Sequence, residues 1–224
     1  MKKAILWDLD GTLLYTLQDL TNATNQTLAA FGYPELSLQQ VRRIVGNGAR
    51  RQIARALPQG EQTPRFDEIF SFYRTYYPQH CNETTRPYPG LEQVLAGLRC
   101  QGYQMAIVSN KPDGATQALK QAFFPTFDLA MGEAPGLPRK PDPAMVLRGL
   151  ELLGVRQFQA VYVGDSEVDV ETARNAGIPC ISALWGYRDR EELTAAGARY
   201  LCDAPAALPE VLKKLEQERA CHGQ

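Results

Sequence analysis

From Tyr103 to the C-terminus, short apolar runs alternate with single helical patterns, and this alternation restricts the possible folds more than any other feature of the chain. Tyr103 to Val108 reads as a buried strand, Asp113 to Phe123 as a helix and Phe127 to Met131 as a second strand. Pro141 to Leu153 is helical, with Pro141 or Pro143 suited to a first turn and Gly154 to the stop. A strand over Ala160 to Val163 precedes a helix from about Val168 to Gly177, where the glycine suits a left-handed cap. Ile178 to Leu184 and Tyr200 to Cys202 are further strands, and Pro205 to Glu218 is a closing helix. Strands separated by single helices imply a parallel sheet covered on both faces, an α/β Rossmann-like core.

The stretch from Tyr15 to Arg86 departs from that rhythm. It carries helical patterns at Leu17 to Phe31, Leu38 to Val45, Ala49 to Leu57 and Phe66 to Tyr77, and no convincing strand. The Pro-rich RPYPG, Arg86 to Gly90, returns the chain to alternation. Residues 1–14 and 87–224 are thus expected to form one discontinuous domain, and residues 15–86 an inserted all-helical cap.

Composition narrows the function. Of 224 residues, 44% are apolar and 22% charged, and the net charge is −1, which gives no broad basic field for nucleic acid. Only four apolar residues follow the N-terminal lysines, and no run nears the roughly 18 needed to span a membrane. A cytoplasmic protein is expected. Five scattered cysteines without C-x-x-C spacing read as free thiols. His80 and His222 stand alone in the sequence and suggest neither a metal site nor a Ser-His pair.

Ligands of open parallel sheets collect where loops leave the carboxyl ends of strands. The polar clusters at those positions are Asp8-Leu9-Asp10-Gly11-Thr12, Ser109-Asn110-Lys111 and Gly164-Asp165-Ser166-Glu167-Val168-Asp169, with Lys140 before Pro141 at a helix start. Bringing Asp8, Asp10 and Asp165 together is costly unless a cation sits among them, and a hard oxygen-ligated ion such as Mg²⁺ meets that need. A phosphoryl group accounts for the rest: its oxygens can accept from backbone N–H groups around Gly11, from Ser109 and from Lys140. Asp8 could then attack phosphorus, while Asp10 protonates the leaving oxygen and later deprotonates a water.

The series D-x-D-G-T, S-N-K, a lone Lys before P-D-P, and G-D-S-x-x-D resembles the haloacid-dehalogenase-like hydrolase superfamily over essentially the whole chain. The resemblance implies a central first strand and a helical cap of the kind found in phosphoglycolate phosphatases. It assigns Asp8 as nucleophile and Mg²⁺ ligand, Asp10 as acid/base whose backbone carbonyl ligates the metal, and Asp165 as a further ligand. Ser109 and Asn110 would hold phosphoryl oxygens, Lys140 would neutralise nucleophile and phosphate, and Thr12 would orient the first loop. Gly164 and Ser166 would shape the last loop, with Asp169 behind the metal. Dehalogenating members lack the second acid of the first motif. Asp10 therefore implies ester hydrolysis.

Substrate choice is expected from the cap. Gly46-Asn47-Gly48 would form a tight loop at a helix start, and one of Arg42, Arg43, Arg50 and Arg51 could pair with a substrate carboxylate, although an ordinary solvated helix face explains those arginines as well. Where relatives continue D-G-T-L-x-D-S, this chain has Tyr15-Thr16 in the last two positions. A small phosphorylated metabolite is the expected substrate, phosphoglycolate first. The alternatives are a sugar phosphomutase and a non-catalytic regulatory protein on the same fold. Trp7, Trp185 and the Tyr73, Tyr76 and Tyr77 group are read as packing or hinge residues.

Overall fold

A computed structural model describes residues 2–221, so His222 lies outside the described residues. Its centre is β1 (Lys3–Trp7), whose side chains alternate between two apolar clusters, Ile5 and Trp7 on one face and Ala4 and Leu6 on the other. A strand with period two and no polar face must be covered twice, and here it is. β4 (Tyr103–Pro112) and β6 (Ala160–Gly164) flank it in parallel register, with Ile5 opposite Met105 and Val161. β5 (Leu129–Glu133), β7 (Cys180–Ala183) and β8 (Tyr200–Cys202) complete a six-stranded parallel sheet in the order β5-β4-β1-β6-β7-β8. The expected α/β core with a central first strand is therefore present.

Helices α5 (Leu91–Cys100), α6 (Asp113–Phe123) and α10 (Leu208–Cys221) feed Leu95, Leu119 and Leu212 into the cluster on the Ile5 face. On the other face, α7 (Ala144–Leu153) and α8 (Glu167–Asn175) contribute Val146, Leu150 and Ala173. The short α9 (Arg190–Ala195) starts on an Asp189 cap that accepts from Glu192 N at 2.9 Å. Between β1 and α5 lie the four helices α1 (Leu17–Ala30), α2 (Leu38–Ile44), α3 (Ala49–Ala56) and α4 (Phe66–His80). Their apolar residues, among them Leu20, Val41, Ile53 and Tyr73, join the same cluster as Trp7.

Some boundaries differ from expectation for local reasons. β2 (Leu14–Tyr15) and β3 (Arg86–Pro87) pair antiparallel, so the helical insert leaves and rejoins the core through a ribbon too short to carry any periodicity. Tyr15 packs edge-on against Tyr88, and the Arg86 guanidinium lies 4.8 Å from its ring centroid, which ties the two crossings together. α7 begins at Ala144 rather than Pro141, because the Asp142 side chain accepts the Ala144 N–H at 2.9 Å and holds the preceding turn open. α4 continues past Pro78 to His80. All five cysteines are free, and no helix among the described residues is long and apolar enough to cross a membrane. His80 is not isolated, since its Nδ1 lies 2.6 Å from Glu83.

Candidate active site

The carboxyl ends of β1, β4 and β6 converge beneath the helical insert on a cleft lined by Asp8, Asp10, Ser109, Lys111 and Asp165 from below. Asp8 follows β1, and its Oδ1 accepts from Leu9 N at 2.7 Å and pairs with Lys140 Nζ at 2.9 Å. Among the described residues no hydrogen bond reaches its Oδ2. Asp10 is fixed in the same one-sided manner: Thr16 Oγ1 donates to its Oδ1 at 2.7 Å and Lys111 Nζ at 2.8 Å. Thr16 is in turn held by the Tyr187 hydroxyl at 2.9 Å. The departure from the D-S pattern thus keeps a hydroxyl against the second acid.

Asp165 sits in a cage of close backbone. Thr12 Oγ1 donates to its Oδ1 at 3.0 Å and Tyr187 N to its Oδ2 at 2.7 Å. A Cβ on Gly11 or on Gly186 would lie 2.3 or 2.2 Å from Asp165 atoms, so only glycine fits either place. That is the role of Gly11 here; its N–H is taken by the Leu14 carbonyl at 2.8 Å and does not serve as a phosphate donor. Gly164 is likewise a close approach, since a Cβ there would meet Asp169 at 2.3 Å. Asp169 Oδ2 accepts from Ser166 N and Oγ at the start of α8, and its Oδ1 pairs with Lys140 at 2.7 Å. The Tyr162 hydroxyl gives Lys140 a third partner at 2.9 Å.

Asp8, Asp165 and Asp169 bring one carboxylate oxygen each within 4.8 Å of one another, all three side chains buried. Lys140 is the cation paired with this group, through Asp8 and Asp169. Burial pushes Asp165 up to about 8, helped by the charges of Asp169 and Asp8. Burial also lifts Asp8 to about 6 against the pull of Lys140. Burial opposes the charge on Lys140, yet the neighbouring Asp169 and Asp8 hold its ammonium well above the ordinary lysine range. Three acids against one lysine leave negative charge uncompensated, and hard oxygen donors at this spacing suit a divalent ion such as Mg²⁺. Asp169 is committed to Lys140 and to Ser166 N and Oγ, so Asp8, whose Oδ2 accepts no hydrogen bond among the described residues, and Asp165, whose oxygens accept one bond each, are the side chains fitted to hold it.

The pattern of the family described as haloacid dehalogenase-like hydrolase matches residues 5–183, which include every one of these groups. The chain belongs to that family. It is 35% identical over 223 residues to a phosphoglycolate phosphatase of Rhodospirillum rubrum, covering 95% of this chain and 91% of that protein. An N-acetylmuramic acid 6-phosphate phosphatase of Pseudomonas aeruginosa is 31% identical, with 95% of each covered. Among solved structures, a candidate phosphoglycolate phosphatase of Lactobacillus delbrueckii subsp. bulgaricus superposes with a TM-score of 0.89 at 33% identity over 94% of this chain and 98% of that one. CbbY of Rhodobacter sphaeroides, solved with phosphate, gives 0.77 at 27% identity over 93% and 96%. The protein is accordingly a phosphoric monoester hydrolase similar to the phosphoglycolate phosphatases.

Within this hydrolase, several expected residues stand elsewhere. Asn110 does line the cleft, but the two N–H groups of its amide are taken: Nδ2 donates to the carbonyls of Lys140 at 3.0 Å and Gly46 at 3.3 Å, joining core to insert. The four insert arginines do not line the cleft. Arg50 turns outward to Glu61 and Asp67, at 2.8 and 3.0 Å, and its guanidinium stacks on Phe66. Arg43 and Arg51 are exposed, and Arg42 contributes its carbonyl to Arg188. Asn47 is absent from the lining as well, whereas Gly46 and Gly48 border it with φ of 105° and 84°. Trp7 is core packing as expected, and Trp185 Nε1 donates to the Thr12 carbonyl at 3.0 Å.

Four residues at the site were expected to have no catalytic or binding role. Lys111 reaches Asp10 and the Tyr77 hydroxyl, a short contact. Tyr73 and Tyr77, expected to be packing residues, stack with centroids 5.4 Å apart and also line the cleft. Arg188, in the loop after β7, pairs with Glu167 at 2.9 Å and donates to the Arg42 and Val45 carbonyls at 3.0 and 3.1 Å. The sequence signal was the K of S-N-K for Lys111; nothing marked Arg188.

Proposed function

We propose that this protein is a Mg²⁺-dependent phosphatase that hydrolyses phosphoglycolate through an aspartyl phosphate on Asp8. The observation that carries the reading is the arrangement of Asp8 and Asp10, two residues apart, each anchored through Oδ1 and lining one cleft. Asp8 and Asp165 would hold Mg²⁺, which when bound supplies positive charge to the phosphoryl oxygens. Asp8 Oδ2 attacks phosphorus, the ester P–O bond breaks, and Asp10 passes its proton to the leaving oxygen. Asp10 then takes a proton from the water that attacks the phosphoaspartate, and inorganic phosphate leaves Asp8 as a free carboxylate. Lys140 offsets the charge of the nucleophile, and the Ser109 hydroxyl would bind a phosphoryl oxygen.

The helical insert, residues 15–86, acts as a lid that excludes bulk water during transfer to Asp8 and admits the one water that hydrolyses the phosphoaspartate. The cleft beneath it encloses about 40 Å³. On that measure one ordered water needs roughly 10–15 Å³, so the cleft holds about three to four waters and the insert must shift to admit any phosphate ester. The reading favours phosphoglycolate, the substrate named for several relatives, over N-acetylmuramic acid 6-phosphate, and hydrolysis, the reaction named for those relatives, over transfer within a sugar. Five unpaired thiols fit a reducing cytoplasm. Phosphate release from phosphoglycolate should require Mg²⁺ and fall about 10⁴-fold in Asp8→Asn, because the variant lacks the attacking oxygen. Turnover of the Asp8→Asn protein near the wild-type rate would end the covalent reading.

A further inference from the structure

The charged side chains that line the cleft all come from the core. Leu20, Val45, Ala49, Gln52, Tyr73 and Tyr77 face it from the insert with no charge among them, and Gly46 and Gly48 add only backbone. Two lining side chains are cations, Lys111 and Arg188. Arg188 is locked in orientation by bonds at all three nitrogens, Nε on Glu167, Nη1 on the Arg42 carbonyl and Nη2 on the Val45 carbonyl, with two of its five N–H donors left over. Lys111 also keeps one: an ammonium has three N–H donors, and Asp10 and Tyr77 take two. Its side chain is 1% exposed, so an extra anion there meets a cation stripped of water, where attraction is strong.

Position completes the argument. The ester oxygen of a substrate must approach Asp10 Oδ2 to receive its proton, and Lys111 Nζ lies 2.8 Å from Oδ1 of the same carboxylate. Nζ is then about 5 Å from that ester oxygen, the distance at which a carboxylate on the ester-bearing carbon accepts a hydrogen bond from it. We propose that Lys111 is the specificity-determining residue of the site: it binds an anionic group carried on the same carbon as the ester oxygen. The assignment rests on the phosphatase reading above and moves charge selection from the insert arginines to the core. Tyr77, which closes from the insert, sets where the ammonium points.

The test compares kcat/KM for phosphoglycolate with that for ethyl phosphate, which keeps the skeleton and lacks the carboxylate. Wild-type protein should favour phosphoglycolate about 100-fold, since ethyl phosphate cannot accept the charge-assisted hydrogen bond from the remaining N–H of the buried ammonium. Lys111→Met should bring the ratio close to one, whatever its effect on absolute rates through Asp10. Lys111→Arg should retain a preference of about tenfold. An unchanged ratio in Lys111→Met reduces Lys111 to a positioning residue for Asp10 and overturns the assignment. Should that variant not fold, a wild-type ratio near one overturns it by itself. If wild-type protein hydrolyses neither ester, the phosphatase reading fails first and the assignment with it.

Discussion

The two walls of the cleft are built on different principles. The core wall carries Asp8, Asp10, Asp165, Lys111 and Arg188, all near the carboxyl ends of strands and each fixed by hydrogen bonds of 2.7–3.1 Å. The insert wall presents stacked tyrosines, a glutamine, small apolar side chains and two glycines. Reactive groups need fixed geometry, and strand ends under a packed sheet supply it. A wall that must move aside for substrate is better made of neutral surface, because separating it from the core then breaks few ion pairs. The proposed function accordingly assigns chemistry to the sheet ends and access to the insert. Arg188 and Asn110 join them through the carbonyls of Arg42, Val45 and Gly46.

That division can be broken most sharply at the joint. Arg188→Ala removes two of the bonds that hold the insert shut while leaving Asp8, Asp10 and Lys140 untouched. It should lower kcat/KM about tenfold and raise hydrogen exchange in α2 and the loop before α3. A loss as deep as that of Asp8→Asn would place Arg188 in the chemistry and dissolve the distinction.

The acidic cluster offers a second, smaller effect. Asp165 and Asp8 have folded-state pKa values of about 8 and about 6, above the ordinary 3.8. The metal-free folded chain therefore holds protons that the unfolded chain releases between about pH 4 and about pH 8, and its stability falls as pH rises through that window. Mg²⁺ held by Asp8 and Asp165 would take the place of those protons. The rise in Tm on adding Mg²⁺ should be about 5 °C larger at pH 8 than at pH 5, measured by thermal melts at fixed ionic strength. An equal rise at both values would remove the cation from the cluster.

The smallest expected change is in the insert. Arg50→Ala should alter kcat/KM less than twofold, because its guanidinium faces Glu61, Asp67 and Phe66 rather than the cleft. A tenfold rise in KM for phosphoglycolate would return substrate selection to the insert arginines.

The same division governs what could be read from the sequence. Asp8, Asp10, Lys140 and Asp165 were visible because a parallel sheet places every strand end on one edge, so motif order along the chain becomes proximity in space. Arg50 and Arg51 misled because a helix periodicity reports which residues share a face, not which neighbour that face meets. Arg188 had no local signature, since its partners are backbone carbonyls about 145 positions away, created only when α2 ends above the sheet. Asn110 looked like a phosphate ligand from its motif, but its amide is placed by the Lys140 and Gly46 carbonyls. Gly11 was noticed for its backbone freedom, and the crowding by Asp165 that requires it emerges only in three dimensions.

The most direct measurement uses Asp10→Asn and an aryl phosphate whose phenol is acidic enough to leave without a proton. Attack by Asp8 then proceeds, while hydrolysis of the phosphoaspartate lacks its base. The expected result is a stoichiometric burst of phenol, with phosphate retained on the peptide that contains Asp8. Slow release of phenol and phosphate together, with Asp8 unmodified throughout, would contradict the covalent route.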